Sequence, residues 1–230
     1  MRRKKILFAG ICITVLLSLC SCGKGKSSNE PAANEITAEA DNSNDTADIG
    51  AIDGQKYIIE KANLELNIPE NWTTYSKKEL AVNYNVSEEE FTNEKLTERF
   101  VNSDGSDTKG DPLIYFAHND DVSKPEMINI YLTYDLDTNS KITDENYEKK
   151  IKVMEEVYKE TEGINDVNVI KTNFLGTECL AIEYSTDYDG KTMYDRFIFW
   201  GEGRFKYSIS ISSYDKAKID QDMEYFKNFK

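Results

Sequence analysis

The chain has 230 residues, with 28 Lys and Arg against 42 Asp and Glu and a net charge of −14. Nucleic acid and anionic lipid headgroups repel such a chain, and no basic stripe offsets the charge, so nucleic-acid binding is set aside. One histidine and four cysteines leave few residues for nucleophilic triads, zinc sites or proton shuttles.

Arg2, Arg3, Lys4 and Lys5 form a basic head, followed by an apolar run from Ile6 to Leu19. At about 14 residues the run falls short of the ~20 a helix needs to cross a bilayer. A basic head, a short apolar run and small residues at its end describe a secretory signal. The junction Leu19-Cys20-Ser21-Cys22-Gly23 resembles the lipobox of bacterial lipoproteins. Cys22 has aliphatic Leu19 at −3 and small Ser21 at −1, whereas Cys20 has the bulky Leu19 at −1. The resemblance implies removal of residues 1–21, lipid on Cys22, and an extracytoplasmic protein anchored to the cell membrane. Cys12 and Cys20 leave with the signal, so Cys179 is the one free thiol and no internal disulfide can form. It lies in the apolar stretch Cys179-Leu180-Ala181-Ile182 and is expected to be a buried small hydrophobe.

Residues 22–53 read as a tether. The segment is Ser, Asn, Ala, Asp, Glu and Thr, with Ile36, Ile49 and Ile52 as its large apolar residues. Such composition buries too little surface to offset ordering entropy, and as a coil it would reach on the order of 30 Å. With the signal's four basic residues removed, 24 basic residues face 42 acidic ones, a net of −18. The tether would hold that acidic body clear of the membrane.

Residues 54–230 have the size of one domain. Leu64, Leu66 and Ile68 alternate with Glu65 and Asn67 until Pro69 stops the run. A strand follows at Leu113 to His118, and another in which Ile128, Ile130, Leu132 and Tyr134 alternate. Three strands in series come at about 178–186, 192–200 and 204–212, joined by Asp189-Gly190 and by Gly201-Glu202-Gly203. The 192–200 strand is apolar on both faces, which predicts cover from both sides. Thr143 opens a helix with Tyr147, Ile151, Met154, Val157 and Tyr158 at helical spacing, ending near Gly163. Asp215 is a candidate N-cap for a last helix carrying Ile219, Met223 and Phe226 on one face. Ser87-Glu88-Glu89-Glu90 has the capping-box pattern and predicts a third helix carrying Phe91 and Phe100, ahead of a polar loop at 101–111. The fold class expected is α+β, an α/β/α sandwich around a largely antiparallel sheet.

Several features are similar to the PsbP-like sandwich. They are an opening hairpin running into Ile68-Pro69-Glu70-Asn71-Trp72, a long middle helix, a Phe174-Leu175-Gly176 turn into a three-strand meander, and a closing amphipathic helix. The resemblance spans about 56–230, with Ser76 to Asp111 as a divergent part. Photosynthetic extrinsic proteins and many bacterial lipoproteins belong to that family, and its members act largely as non-enzymatic binding or assembly factors. The resemblance therefore implies no catalytic, cofactor-binding or metal residues to carry over.

The residues themselves add little chemistry. His118 shares a strand face with Ile114 and Phe116 and is expected to be a packing histidine. Gly201-Glu202-Gly203 is too short for a phosphate loop and opens no helix. The stretch 135–146 places Asp135, Asp137 and Asn139 at the first, third and fifth positions of an EF-hand-like loop. Ser140 replaces its turn glycine, and Asn146 stands where a bidentate carboxylate belongs, so calcium binding there is not expected. The chain's 14 Tyr, 10 Phe and 2 Trp could supply a contact surface as well as a core. The expectation is a membrane-tethered extracytoplasmic binding or assembly module, not an enzyme and without cofactor. Its partners would be the membrane through the lipid and a protein or small ligand. The alternative is a surface hydrolase acting on glycans or peptides through paired carboxylates.

Overall fold

The computed structural model describes residues 46–102, 110–121, 123–135, 145–188 and 190–230. Among the described residues, two antiparallel sheets and four α-helices make a mixed α+β domain. The larger sheet runs in the order β4 (Trp72–Thr74), β5 (Leu113–Asn119), β6 (Glu126–Tyr134), β10 (Phe205–Ser213), β9 (Lys191–Trp200), β8 (Thr177–Tyr188) and β7 (Ile164–Phe174). The smaller has β1 (Ala51–Asp53), β2 (Lys56–Ile59), β3 (Leu64–Asn67) and β11 (Phe226–Asn228).

Period-two patterning decides which face of each strand is inside. Ile128, Ile130 and Leu132 are fully buried, and the strand register sets them opposite buried Ile211, Ile209 and Tyr207. This inner face packs against Tyr57, Ile59, Leu64 and Leu66 of the smaller sheet in one core. There the Tyr57 and Tyr115 rings stack 4.3 Å apart. The outer face carries α3 (Glu145–Glu160), whose Tyr147, Ile151, Met154 and Tyr158 pack on Ile164, Val167, Ile182 and Phe199. The 192–200 strand is thus covered on both sides, with Ile198 in the inner core and Phe199 under α3. The start of the α3 helix expected at Thr143 lies outside the described residues.

Some elements differ from expectation. The Ser87–Glu90 box does form, with the Ser87 N–H donating to Glu90 Oε2 at 3.0 Å, but it closes only a single turn. The helix that follows, α2 (Asn93–Asn102), starts later, with the Lys95 N–H donating to Thr92 Oγ1. A short helix, α1 (Lys77–Asn83), opens on its own capping box of Ser76 and Glu79. Asp215 caps α4 (Lys216–Met223), accepting from the Ala217 N–H at 3.0 Å. Phe226 is not on that helix. It begins β11 opposite Leu66, because the open edge of β3 offers the C-terminal chain a full ladder of backbone partners.

The folded unit also reaches upstream of Gly54. Ala47 is fully buried, its N–H donates to Thr97 Oγ1, the Ile49 N–H donates to Asn93 Oδ1, and Tyr57 and Tyr207 donate to the Ile49 and Asp48 carbonyls. Residues 46–53, expected as tether, are structural. Among the described residues no helix is long and apolar enough to cross a membrane.

Candidate functional site

The outer face of the larger sheet is covered unevenly. α3 lies over β7 and β8, and an ion pair holds one of its flanks. Lys150 donates to Asp135 at the end of β6, 2.7 Å away. Glu148, on the other flank, lies close enough to Lys171 of β7 to act on its charge. At 100° per residue, Val157 lies on the Lys150 flank, and Val153, about 130° from the centre of the packed face, turns from the sheet toward solvent. Val153 is 49 % exposed. Beyond the Lys150 flank, Phe116, His118, Met127, Asn129, Tyr131 and Thr133 of β5 and β6 are half-buried on the same face.

Register aligns these side chains in rows. One row reads His118, Met127, Ser212, Asp195 and Tyr184; the next reads Phe116, Asn129, Ser210, Phe197 and Ile182. Ser208, Ser210 and Ser212 form a small-residue floor along β10, buried between the taller side chains of β6 and β9. Ser212 Oγ donates to Asp195 Oδ1. Burial pushes the Asp195 carboxyl up to about 7, with the Ser212 bond pulling the other way. At the far end Lys206, almost fully buried, donates to Asp135 at 3.0 Å. Thr133 Oγ1 donates to Asp111 Oδ2 at 3.0 Å and accepts from Ser208 Oγ at 3.0 Å. Burial raises the Asp111 carboxyl to about 6.

His118, Ser212 and Asp195 share a row, yet they do not form a nucleophilic relay. Met127 of β6 stands between, so His118 and Ser212 are two strands, roughly 10 Å, apart. His118 Nδ1 instead lies 2.7 Å from the Asn119 carbonyl, and its ring packs 5.5 Å from Phe116. Cys179 is buried, and burial lifts its thiol to about 11, so it stays protonated. Of the acidic loop only Asp135 has a described side chain, and two lysines already hold its carboxylate. Positions 136–144 lie outside the described residues, as does the lipidation candidate Cys22. Among the described residues no group of three or more His, Cys, Asp or Glu is placed to hold a metal.

The inner face has a second feature. Arg196, buried in β9, donates through Nε and Nη2 to Glu183 and through Nη1 to Asp220 at 2.6 Å. A groove of about 290 Å³ opens there between α4 and the β7–β8 turn, lined by Phe174, Leu175, Arg196 and Met223 among others. That is slightly smaller than ordinary small-molecule sites, and the Arg196 donors are committed within the protein.

Sequence reading missed the serine floor and Asp195. The Ser-Ile alternation of β10 was visible, but it reads as an ordinary solvent face until register places aromatic side chains on either side.

No family model matches the chain, and no curated protein matches it. Among solved structures it is similar to the Mycobacterium tuberculosis protein LpqN, described as involved in cell envelope biogenesis, at 12 % identity and a TM-score of 0.35. That match covers 70 % of this chain and 76 % of LpqN. A Bacteroides thetaiotaomicron protein matches at 12 % identity and a TM-score of 0.38, covering 78 % of this chain and 50 % of the other. The Pseudomonas aeruginosa protein PA94, of unknown function, matches at 11 % and 0.31, over 42 % of this chain. This chain spans about 63 % of PA94 and half of the Bacteroides protein. None is similar enough to bear on what this chain does.

Proposed function

We propose that this chain is a lipid-anchored extracytoplasmic binding module without chemistry of its own, and that it meets a protein partner on the half-covered outer face beside α3. The tether reading rests on the basic head, the short apolar run and the Leu19-Cys20-Ser21-Cys22 junction. The observation that carries the binding reading is the face itself. Phe116, Met127, Tyr131 and Phe197 stand half-buried around buried serines, beside α3. Amphipathic rings with polar partners suit a protein contact. Three strands give a surface roughly 10–15 Å wide, the width of one packed helix rather than an enclosed ligand cavity.

The hydrolase reading needs two carboxyls facing one cleft, about 5–10 Å apart. Asp111 and Asp195, the two on this face with raised pKa, sit at the Lys206 and Ser212 ends of β10, roughly 20 Å apart.

The test is a crosslinking pull-down from intact cells with the wild type, Cys22→Ala, and Phe116→Asp/Tyr131→Asp. The wild type should capture a defined partner from the membrane fraction. Cys22→Ala should leave that fraction or remain uncleaved, and the double variant should stay anchored and lose the partner. Capture by the double variant at wild-type level contradicts the assigned face, and normal processing with membrane retention of Cys22→Ala contradicts the anchor.

A further inference from the structure

α4 docks against β10 and β9 on the inner face of the larger sheet. Two of its eight residues are buried, Ile219 and Asp222. On the helical wheel Asp222 sits 60° from Ile219, so both point into that face. An acid therefore stands where docking calls for an apolar anchor. Asp222 has no exposed surface, and neither of its carboxylate oxygens has a hydrogen-bond partner. The charges that act on it are Glu126, at the start of β6, and Lys218, one turn back on α4. Glu126 is only 13 % exposed, and Lys218 Nζ stands 3.8 Å from it on a partly exposed stem. Tyr225 follows just beyond the helix and feels the Asp222 charge in turn. Arg196 of β9 is committed to Glu183 and Asp220.

This position tolerates the neutral acid far better than the carboxylate, which has lost its water without gaining a donor or a counter-charge in contact. The carboxyl accordingly titrates at about 7, raised first by burial and second by Glu126. Once α4 lifts from the sheet, Asp222 meets water and ionises at its ordinary value near 4. Behind it the chain runs through Tyr225 into β11, whose three residues pair with β3 and close the edge of the smaller sheet. Short terminal elements of this kind can open locally while the rest of a domain stays folded. We propose that Asp222 is a proton-operated latch: while it is neutral, with its proton turned to Glu126, α4 and β11 stay docked, and its ionisation loosens them together and uncovers the edge of β3. Linkage sets the size of the effect. The latch holds fully below pH 4, each pH unit from there to 7 raises the open fraction up to about tenfold, and above 7 the effect levels off.

The latch lies on the opposite face of the sheet from the proposed partner surface and stands independently of it. Hydrogen exchange of the full chain, converted to protection factors, is followed from pH 4.5 to 8. Amides of α4 and β11 should be less protected than those of β6 and β10, and should lose up to about tenfold in protection per pH unit until pH 7. Asp222→Asn is nearly isosteric and neutral at every pH, so it should fold and remove that slope, while Asp195→Asn should leave it in place. A flat profile in the wild type, or a slope kept by Asp222→Asn, overturns the proposal. So does protection of α4 and β11 that equals the core's and changes in Asp195→Asn, because the segment then opens only with the whole domain.

Discussion

Asp111, Asp195 and Asp222 link the protein's stability to pH. Asp111 titrates at about 6, and Asp195 and Asp222 at about 7, each raised chiefly by burial. In the unfolded chain all three ionise near 4. Between those values the folded state holds protons that the unfolded state has released, so their contribution to stability is complete below pH 4 and falls as pH rises toward 7. Each group contributes a slope of up to about 1.4 kcal/mol per pH unit in that window. Chemical denaturation from pH 4 to 7.5 should show the decline, and Asp195→Asn and Asp222→Asn should each flatten it. Arg196 makes the opposite case. Burial works against its charge, but Glu183 and Asp220 hydrogen bonds outweigh that and hold it protonated. Arg196→Met strands Glu183, also buried, with only Lys216 at 2.9 Å, and should cost about 3–5 kcal/mol in a urea melt. Adding Glu183→Leu should recover much of the loss, since an apolar replacement leaves no uncompensated charge.

Among elements, the segment before β2 invites a direct comparison. Truncation to Gly54 removes β1, the buried Ala47 and the carbonyls that accept from Tyr57 and Tyr207. Losing two buried hydrogen bonds at about 0.5–1.5 kcal/mol each, with Tyr57 left only its longer 3.3 Å bond to the Ile114 carbonyl, predicts a drop in Tm relative to a chain starting at residue 46. Within the segment, Gly50 has φ 65°, and a Cβ there would meet the Tyr57 ring at 2.6 Å and the Ile58 carbonyl at 2.8 Å. Gly54 has a similar φ of 60° and open space. Alanine should therefore cost far more at 50 than at 54, measured by thermal melts of the two variants.

The same scale explains what sequence could and could not reveal. β6 and β10 were legible because apolar and polar residues alternate along them, and β8 and β9 as apolar runs bounded by turn residues. β7 was not, since a bulge at 165–168, with Asp166 at φ 52°, breaks its period of two. The Ser87 box was real chemistry at a turn that the chain does not extend into a helix. Residues 46–53 looked like tether because their hold on the domain is mostly backbone hydrogen bonding, which leaves no apolar pattern.

For the whole molecule, the acidic charge was legible from composition, while the half-covered outer face needed tertiary register. Uneven cover is what makes that face a candidate: α3 lies over β7 and β8, and its Lys150 flank borders β5, β6 and β10. The most direct measurement is position-resolved photo-crosslinking in intact cells, with the photoreactive residue at Phe116 or Tyr131, and at Val82 and Ile52 as exposed controls off that face. The account predicts one common partner band from the two face positions and none from the controls. Equal crosslinking from Val82 and Ile52, or none from Phe116 and Tyr131 while the controls react, would contradict it.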